Sequence, residues 1–390
     1  GSFAQVGSTL GVYNTIPAYE YSDKYNAMTT LYSNATQLNP SIKPTISTSY
    51  EVGTEFRLFD NRFWGDINLY RRDTKNQILN MTVAPQSGYS SRQLNSGLVR
   101  NQGIEISLGG SPIKTKDFQW NIDFNIAKNQ NELVELNPDM KEYNLASYKF
   151  SYWWYLKAIE GRPLGVITST YRWARNEEGK PILKATTSNA WGGGYQPTYD
   201  STEKEEGTFQ PDWTGGFSTD FRYKNFRVAA NFDFMVGGKM LSVTNMYGKA
   251  SGMVKETALL NDKGINEREP VLKGGGVRVD GVDTEGKPVT CYMNAYYYYN
   301  YTKYDLGAYI YDRSYLKMRE LSVSYDLPRA FLKKAGVGLS NASISFVASN
   351  PWLIYSACPN VDPSESGSSW REGGQVGSTR SFGLTVKLGF

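Results

Sequence analysis

The sequence contains no histidine. Without imidazole there is no Ser-His-Asp hydrolase, no His-activated cysteine and no histidine metal site. Cysteine is nearly absent too: Cys291 and Cys358 are the only two. Their separation matches neither a redox CxxC nor a zinc site, and leaves open both a disulfide in an oxidising compartment and two unpaired small residues. No run of about 18 apolar residues exists, which excludes a membrane-spanning helix. A mean hydropathy of −0.49 does not exclude a barrel, because strands that alternate apolar and polar residues average to a polar-looking sequence. Charge of one sign is lacking as well. The net +4 arises from 42 basic and 38 acidic residues that are interspersed, with no polybasic stripe for nucleic acid. No phosphate-binding GxxxxGK[ST] is present, and the triglycines at 192–194 and 274–276 lack a strand before and a helix after.

What is abundant is aromatic: 29 Tyr, 17 Phe and 9 Trp. They fall on segments with a period of two. Tyr50, Val52, Thr54, Phe56 and Leu58 alternate with Glu51, Gly53, Glu55 and Arg57. Phe118, Trp120, Ile122, Phe124 and Ile126 alternate with Gln119, Asn121, Asp123 and Asn125, and Phe226, Val228, Ala230, Phe232 and Phe234 with Arg227, Asn231 and Asp233. Strands are expected at 50–59, 62–71, 99–110, 118–128, 211–222, 226–235, 315–327, 339–349 and 378–390. Within pairs the connections are short; between pairs, at 72–98, 129–210, 236–314 and 350–377, they are long. Outer-membrane barrels have this rhythm, with tight periplasmic turns and long extracellular loops. Strand lengths near the ~10 residues a tilted strand needs to cross the hydrocarbon support it, as does the last strand, which carries Phe382, Leu384, Val386, Leu388 and Phe390 on one face.

The expected fold is therefore all-β, a transmembrane antiparallel β-barrel with long extracellular loops. The first residues, 1–7, read as the end of a strand entering a loop. Nine strands plus that stump make about ten, so residues 1–390 are expected to be the C-terminal portion of a longer barrel. Two alternatives remain: a complete smaller porin or adhesin, and a secreted polysaccharide-degrading enzyme.

Few residues point to chemistry. Glu51, Glu55 and Asp66 form a carboxylate group on one face, but mixed charges line barrel lumens ordinarily, so no catalytic residue is expected. Asp280, Asp283 and Glu285 match no complete calcium loop, and no metal or cofactor is expected. Asn176–Pro181 and Asp283–Pro288 read as turns. The strongest signal is aromatic content in the long loops. Trp153, Trp154 and Trp191 in 129–210 and the run Tyr296, Tyr297, Tyr298 and Tyr299 in 236–314 are candidates for ligand or partner contact. Packing of the loops into a rigid cap is the competing reading.

Several runs also follow one another in a familiar order: Thr48-Ser49-Tyr50-Glu51-Val52-Gly53, Tyr70-Arg71-Arg72-Asp73-Thr74, Asn101-Gln102-Gly103-Ile104-Glu105, Pro211-Asp212-Trp213-Thr214-Gly215, Tyr315-Leu316-Lys317-Met318-Arg319-Glu320-Leu321, Asp326-Leu327-Pro328 and Val361-Asp362-Pro363. Together they resemble the SusC/RagA-type TonB-dependent transporters of Bacteroidetes outer membranes. Asn350-Pro351-Trp352 departs from the family's pattern. The resemblance implies a barrel of roughly 22 strands, whose N-terminal plug domain and first half lie outside this chain, that is not an enzyme and imports nutrients, oligosaccharide or oligopeptide, across the cell outer membrane. It implies a SusD-like surface lipoprotein as partner, outer-membrane lipid around the wall, and TonB-ExbB-ExbD acting through the missing N-terminal region.

Overall fold

A computed structural model of the chain describes residues 1–8, 11, 15–25, 28–137, 140–335 and 338–390. Its frame is one sheet of ten long strands: β1 (Ser2–Gly7), β2 (Ile46–Leu58), β3 (Phe63–Thr82), β4 (Ser91–Lys114), β5 (Phe118–Glu135), β6 (Trp213–Tyr223), β7 (Phe226–Val236), β8 (Tyr315–Asp326), β9 (Asn341–Ser356) and β10 (Ser381–Gly389). Each pairs antiparallel with its successor. The order in space is the order in sequence, which is the up-and-down path of a barrel wall.

Register turns the sequence alternation into two continuous faces. One row crosses six strands as Phe56, Gly65, Leu108, Phe124, Phe217 and Phe232. Another continues Ile122, Thr219, Ala230, Leu321, Ala348 and Phe382. Rings meet between neighbouring strands of this face: Trp120 stacks on Phe221 at 5.3 Å and Phe217 on Phe232 at 4.3 Å. Val228, Phe346, Leu384 and Leu388 on this face remain exposed. An apolar face that leaves these side chains exposed suits lipid. The opposite face carries Glu55, Asp66, Ser107, Asn125, Asp233 and Lys317 in one register row. Side chains here pair with one another, as Arg227 does with Asp220 at 2.5 Å and Asn121 with Asp220 at 3.3 Å.

The turns at one end are short. Residues 59–62 hold three consecutive left-handed positions, Phe59, Asp60 and Asn61, and 224–225 join β6 to β7. Between β8 and β9 lies a helix, α3 (Arg329–Ala335), that periodicity did not suggest. The largest correction concerns 72–98, expected as an outer excursion. Pairing instead runs on to Thr82 and Ser91, so β3 and β4 form a hairpin that outlasts the membrane band. It persists because its upper part has a partner: Leu79 and Val99 pack with Leu133, Leu136 and Ala158. The segment Asn350-Pro351-Trp352 belongs to β9, where Asn350 takes φ +48° and the register shifts opposite Arg319.

Candidate functional site

The segments 136–212, 237–314 and 357–380 fold together as a cap over the long-loop end of the wall. Strands Glu142–Phe150, Tyr152–Ile159, Val166–Ser169 and Lys204–Thr208 form one sheet within the first segment. Two parallel pairings then tie segments together. Ile182–Ala185 pairs with Val277–Asp283 and joins the first segment to the second. Lys239–Ser242 pairs with Arg371–Glu372 and joins the second to the third. All three contribute to one apolar core, made by Trp154, Ile167, Leu241, Met246, Tyr309 and Trp370 among others. The expected turns are present at Asn176–Pro181 and Asp283–Pro288, with Gly179 and Gly286 at positive φ.

Two helices lie inside the second segment. In α1 (Val243–Ser251), Ser242 caps the first turn by accepting from the Asn245 amide. The buried Glu372 carboxylate accepts from the Thr244 amide at 3.1 Å, a favourable place for negative charge. In α2 (Ala295–Thr302), the Asn294 side chain accepts from the Tyr296 amide at 3.0 Å. The tyrosine run is thus helical, and helical spacing sorts its members. Ala295 and Tyr299, four apart, face inward. The Tyr299 hydroxyl lies 2.6 Å from Glu267 Oε2 and 2.9 Å from the Glu256 carbonyl, two acceptors for its one proton. Burial and the Glu267 charge together push its phenol well above the ordinary range. Tyr297 and Tyr298 are half-buried, packing against Trp191 and Trp173. Tyr296 is 66 % exposed.

The tryptophans divide the same way. Trp154 is fully buried and its indole donates to the Leu306 carbonyl at 3.2 Å. Trp191 sits in a second core with Leu183, Val279, Cys291 and Met293. Trp153 lies on the other face of its strand, half-buried, stacked on Tyr155 at 5.7 Å with Lys149 Nζ 5.0 Å from its ring. Of the seven sequence candidates, Trp154, Trp191 and Tyr299 are core residues of the cap, and Trp153, Tyr296, Tyr297 and Tyr298 keep free surface.

Both cysteines are unpaired and buried, Cys291 in the second core and Cys358 against Asn245. Burial raises the Cys291 thiol to about 11 and the Cys358 thiol to about 12. Among the carboxylates, Glu55 pairs with Arg57 at 2.8 Å and Asp66 accepts from Asn68 at 3.0 Å. Asp283 accepts amides of its own turn, from Glu285 and Lys287. Among the described residues no group of acidic side chains and thiols is placed to hold a metal.

Below the cap, sequence reasoning missed a charge cluster on the polar face of β8. Lys317 is 1 % exposed. Its ammonium lies 2.7 Å from Asp362, 2.8 Å from Glu365, 3.1 Å from Ser378 and 3.3 Å from Ser364, four oxygens around its three protons. Arg319 grips Asp233 with two bonds of 2.8 and 2.9 Å and reaches Glu365 at 2.8 Å. A β-bulge explains how residues 317, 319 and 320 can share one face. Lys317 pairs with Asp233 and Glu320 with Asn231, leaving Arg319 as the extra residue against β7. The cluster fastens the 357–380 segment to the wall. Hydrogen bonds from Lys317 outweigh burial at Asp362 and hold both Asp362 and Glu365 below the usual carboxylate range. The available signal was the break in alternation at Lys317-Met318-Arg319-Glu320.

A family model described as TonB dependent receptor-like, beta-barrel matches residues 11–350. TonB-dependent receptor P3 of Formosa agariphila is 28 % identical over 339 residues, covering 83 % of this chain and 31 % of that protein. TonB-dependent receptor SusC of Bacteroides thetaiotaomicron is 27 % identical over 222 residues, 55 % of this chain and 21 % of that one. The chain thus spans about a third or less of the length of these relatives. The RagAB peptide importer in its closed-closed state superposes with a TM-score of 0.71 at 17 % identity, over 99 % of this chain and 40 % of that chain.

Proposed function

Because the chain belongs to the TonB dependent receptor-like β-barrel family, we propose that it supplies wall and outer cap to an energised importer of the bacterial outer membrane, a transport protein and not an enzyme. In this reading residues 1–390 are the C-terminal part of the barrel, and further strands and a plug complete the pore. The cargo is an oligosaccharide or an oligopeptide, delivered with a SusD-like surface lipoprotein. Energy comes from TonB-ExbB-ExbD through the N-terminal region. Ligand held under the partner shifts the population of plug states, and force from the periplasm opens the path.

The observation that carries this is the two-faced ladder: apolar side chains facing outward and charges inward across ten successive strands. Trp153 and Tyr296, which keep free surface on the cap, are the residues for contact with ligand or lipoprotein. A bacterium producing the whole protein should take up its cargo only while energised. Deleting the gene, or collapsing the proton gradient, should each abolish uptake, and a surface lipoprotein should co-purify. Uptake that survives both treatments would defeat the proposal.

A further inference from the structure

The short-turn end of the wall is layered. On the apolar face Phe118, Tyr223, Phe226, Tyr325 and Ile344 stand opposite one another across β5 to β9, and the rings of Phe226 and Tyr325 meet at 4.5 Å. Such a row of aromatic rings at strand ends marks the boundary between hydrocarbon and water. Beyond it lie the connections 59–62, 115–117, 224–225 and 327–340. They carry Arg62, Lys116, Lys224, Arg329, Lys333 and Lys334 against Asp60 and Asp117, all exposed. The rim on this side of the membrane band is basic.

Arg329, Lys333 and Lys334 belong to α3. Leu332 is buried and holds the helix down, while the neighbouring Phe331 is 59 % exposed. Just before the helix, the Leu327 amide donates to the Ala342 carbonyl at 2.9 Å. This ties the connection to β9, whose apolar face keeps Ile344 and Phe346 exposed. Arg329 and Lys333, four apart, share one side of the helix, and Phe331 and Lys334, three apart, share the next. Among the described residues none of the three cations meets an acidic side chain. The chain has no Asp or Glu between Asp326 and Asp362, and Asp326 itself pairs with Arg222 at 3.6 Å. The helix macrodipole favours lysines in the last turn, but it disfavours Arg329 in the first and does not account for an exposed phenylalanine. An exposed ring among unpaired cations, at the water edge of a lipid-facing wall, is the arrangement of an interfacial helix.

We propose that α3 is a docking site for anionic phospholipid of the periplasmic leaflet. Phe331 enters the boundary between headgroups and acyl chains, and Arg329, Lys333 and Lys334 gather lipid phosphates, their long stems lying along apolar surface while the charged heads stay in the headgroup layer. The site rests on the reading of the wall as a membrane-spanning barrel and does not depend on the cargo.

The test uses the full-length protein and two readouts. In native mass spectrometry with equimolar phosphatidylglycerol and phosphatidylcholine, phosphatidylglycerol should be retained in preference. Replacing all three cations, as Arg329→Gln, Lys333→Gln and Lys334→Gln together, should reduce that preference by at least about fivefold, the worth of one cation at an anionic membrane surface. If the triple variant does not assemble, Lys333→Gln with Lys334→Gln should lower the preference in the same direction. Separately, a nitroxide on Phe331→Cys in bilayers containing phosphatidylglycerol should be relaxed by oxygen and shielded from a water-soluble nickel chelate. No preference in the native protein, an unchanged preference in a variant that assembles, or a label at 331 open to nickel would overturn the site. If labels along β5 still alternate between oxygen and nickel, any of these results removes the α3 site alone and leaves the barrel and the import reading standing.

Discussion

A single lysine on the polar face of β8 organises the attachment of the 357–380 segment. Lys317 is buried and in contact with two carboxylates and two hydroxyls from that segment. Removing one partner of a buried ion pair strands the other, at a cost on the order of 3–5 kcal/mol. Lys317→Met should therefore release the segment without disturbing the strands. Amide hydrogen exchange over 357–380 should rise while exchange in β8 and β9 stays low, and equal protection in both proteins would contradict the assignment. The same pairing fixes a pH dependence. Asp362 and Glu365 are held below their ordinary values, so their contribution is complete above the unfolded carboxylate value of about 4 and is lost as pH falls through the lower folded values. Protection of 357–380 should be level from neutral pH down to about 4 and should decline only below it.

The elements were legible where period two was strong. Residues 118–128 and 226–235 are strands with the expected faces, because alternation is what a wall between lipid and lumen demands. Legibility failed in two ways. The β3–β4 hairpin continues through 72–82 and 91–98, where Arg72, Asp73, Lys75 and Asn80 weaken the apolar signal and pairing alone sustains the strand. The tyrosine run of α2 has no helical periodicity in hydrophobicity, since every position is aromatic; the cap at Asn294 was its one local cue. The facing assignment has a direct consequence for assembly. A cation on the lipid face near the midplane costs about 2–4 kcal/mol, so Phe124→Arg and Val228→Arg should lower the yield of folded, heat-modifiable protein. Asp123→Asn, one residue along on the polar face, should not. Equal yields for the three would mean that the faces are reversed or absent.

At the scale of the molecule, the wall could be read from sequence and the cap could not. Every wall strand pairs with its neighbour in sequence. The cap depends on contacts between distant segments, such as Ile182 with Val282 and Leu241 with Arg371. It also rests on a core assembled from three loops. Composition announced that the aromatics mattered; only the fold shows that Trp154, Trp191 and Tyr299 hold the cap together while Trp153 and Tyr296 keep a free surface. The central claim, a wall with one face in lipid and one in water, has a direct measurement. Single cysteines at positions 119 to 126 of β5 would be spin-labelled in the full-length protein, reconstituted in bilayers, and relaxed by oxygen or by a water-soluble nickel chelate. The native thiols can stay, because burial raises them to about 11 and about 12 and leaves little thiolate to react. Labels at 120, 122, 124 and 126 should respond to oxygen and those at 119, 121, 123 and 125 to nickel, with a period of two. A uniform response along the strand, or the opposite phase, would contradict the account.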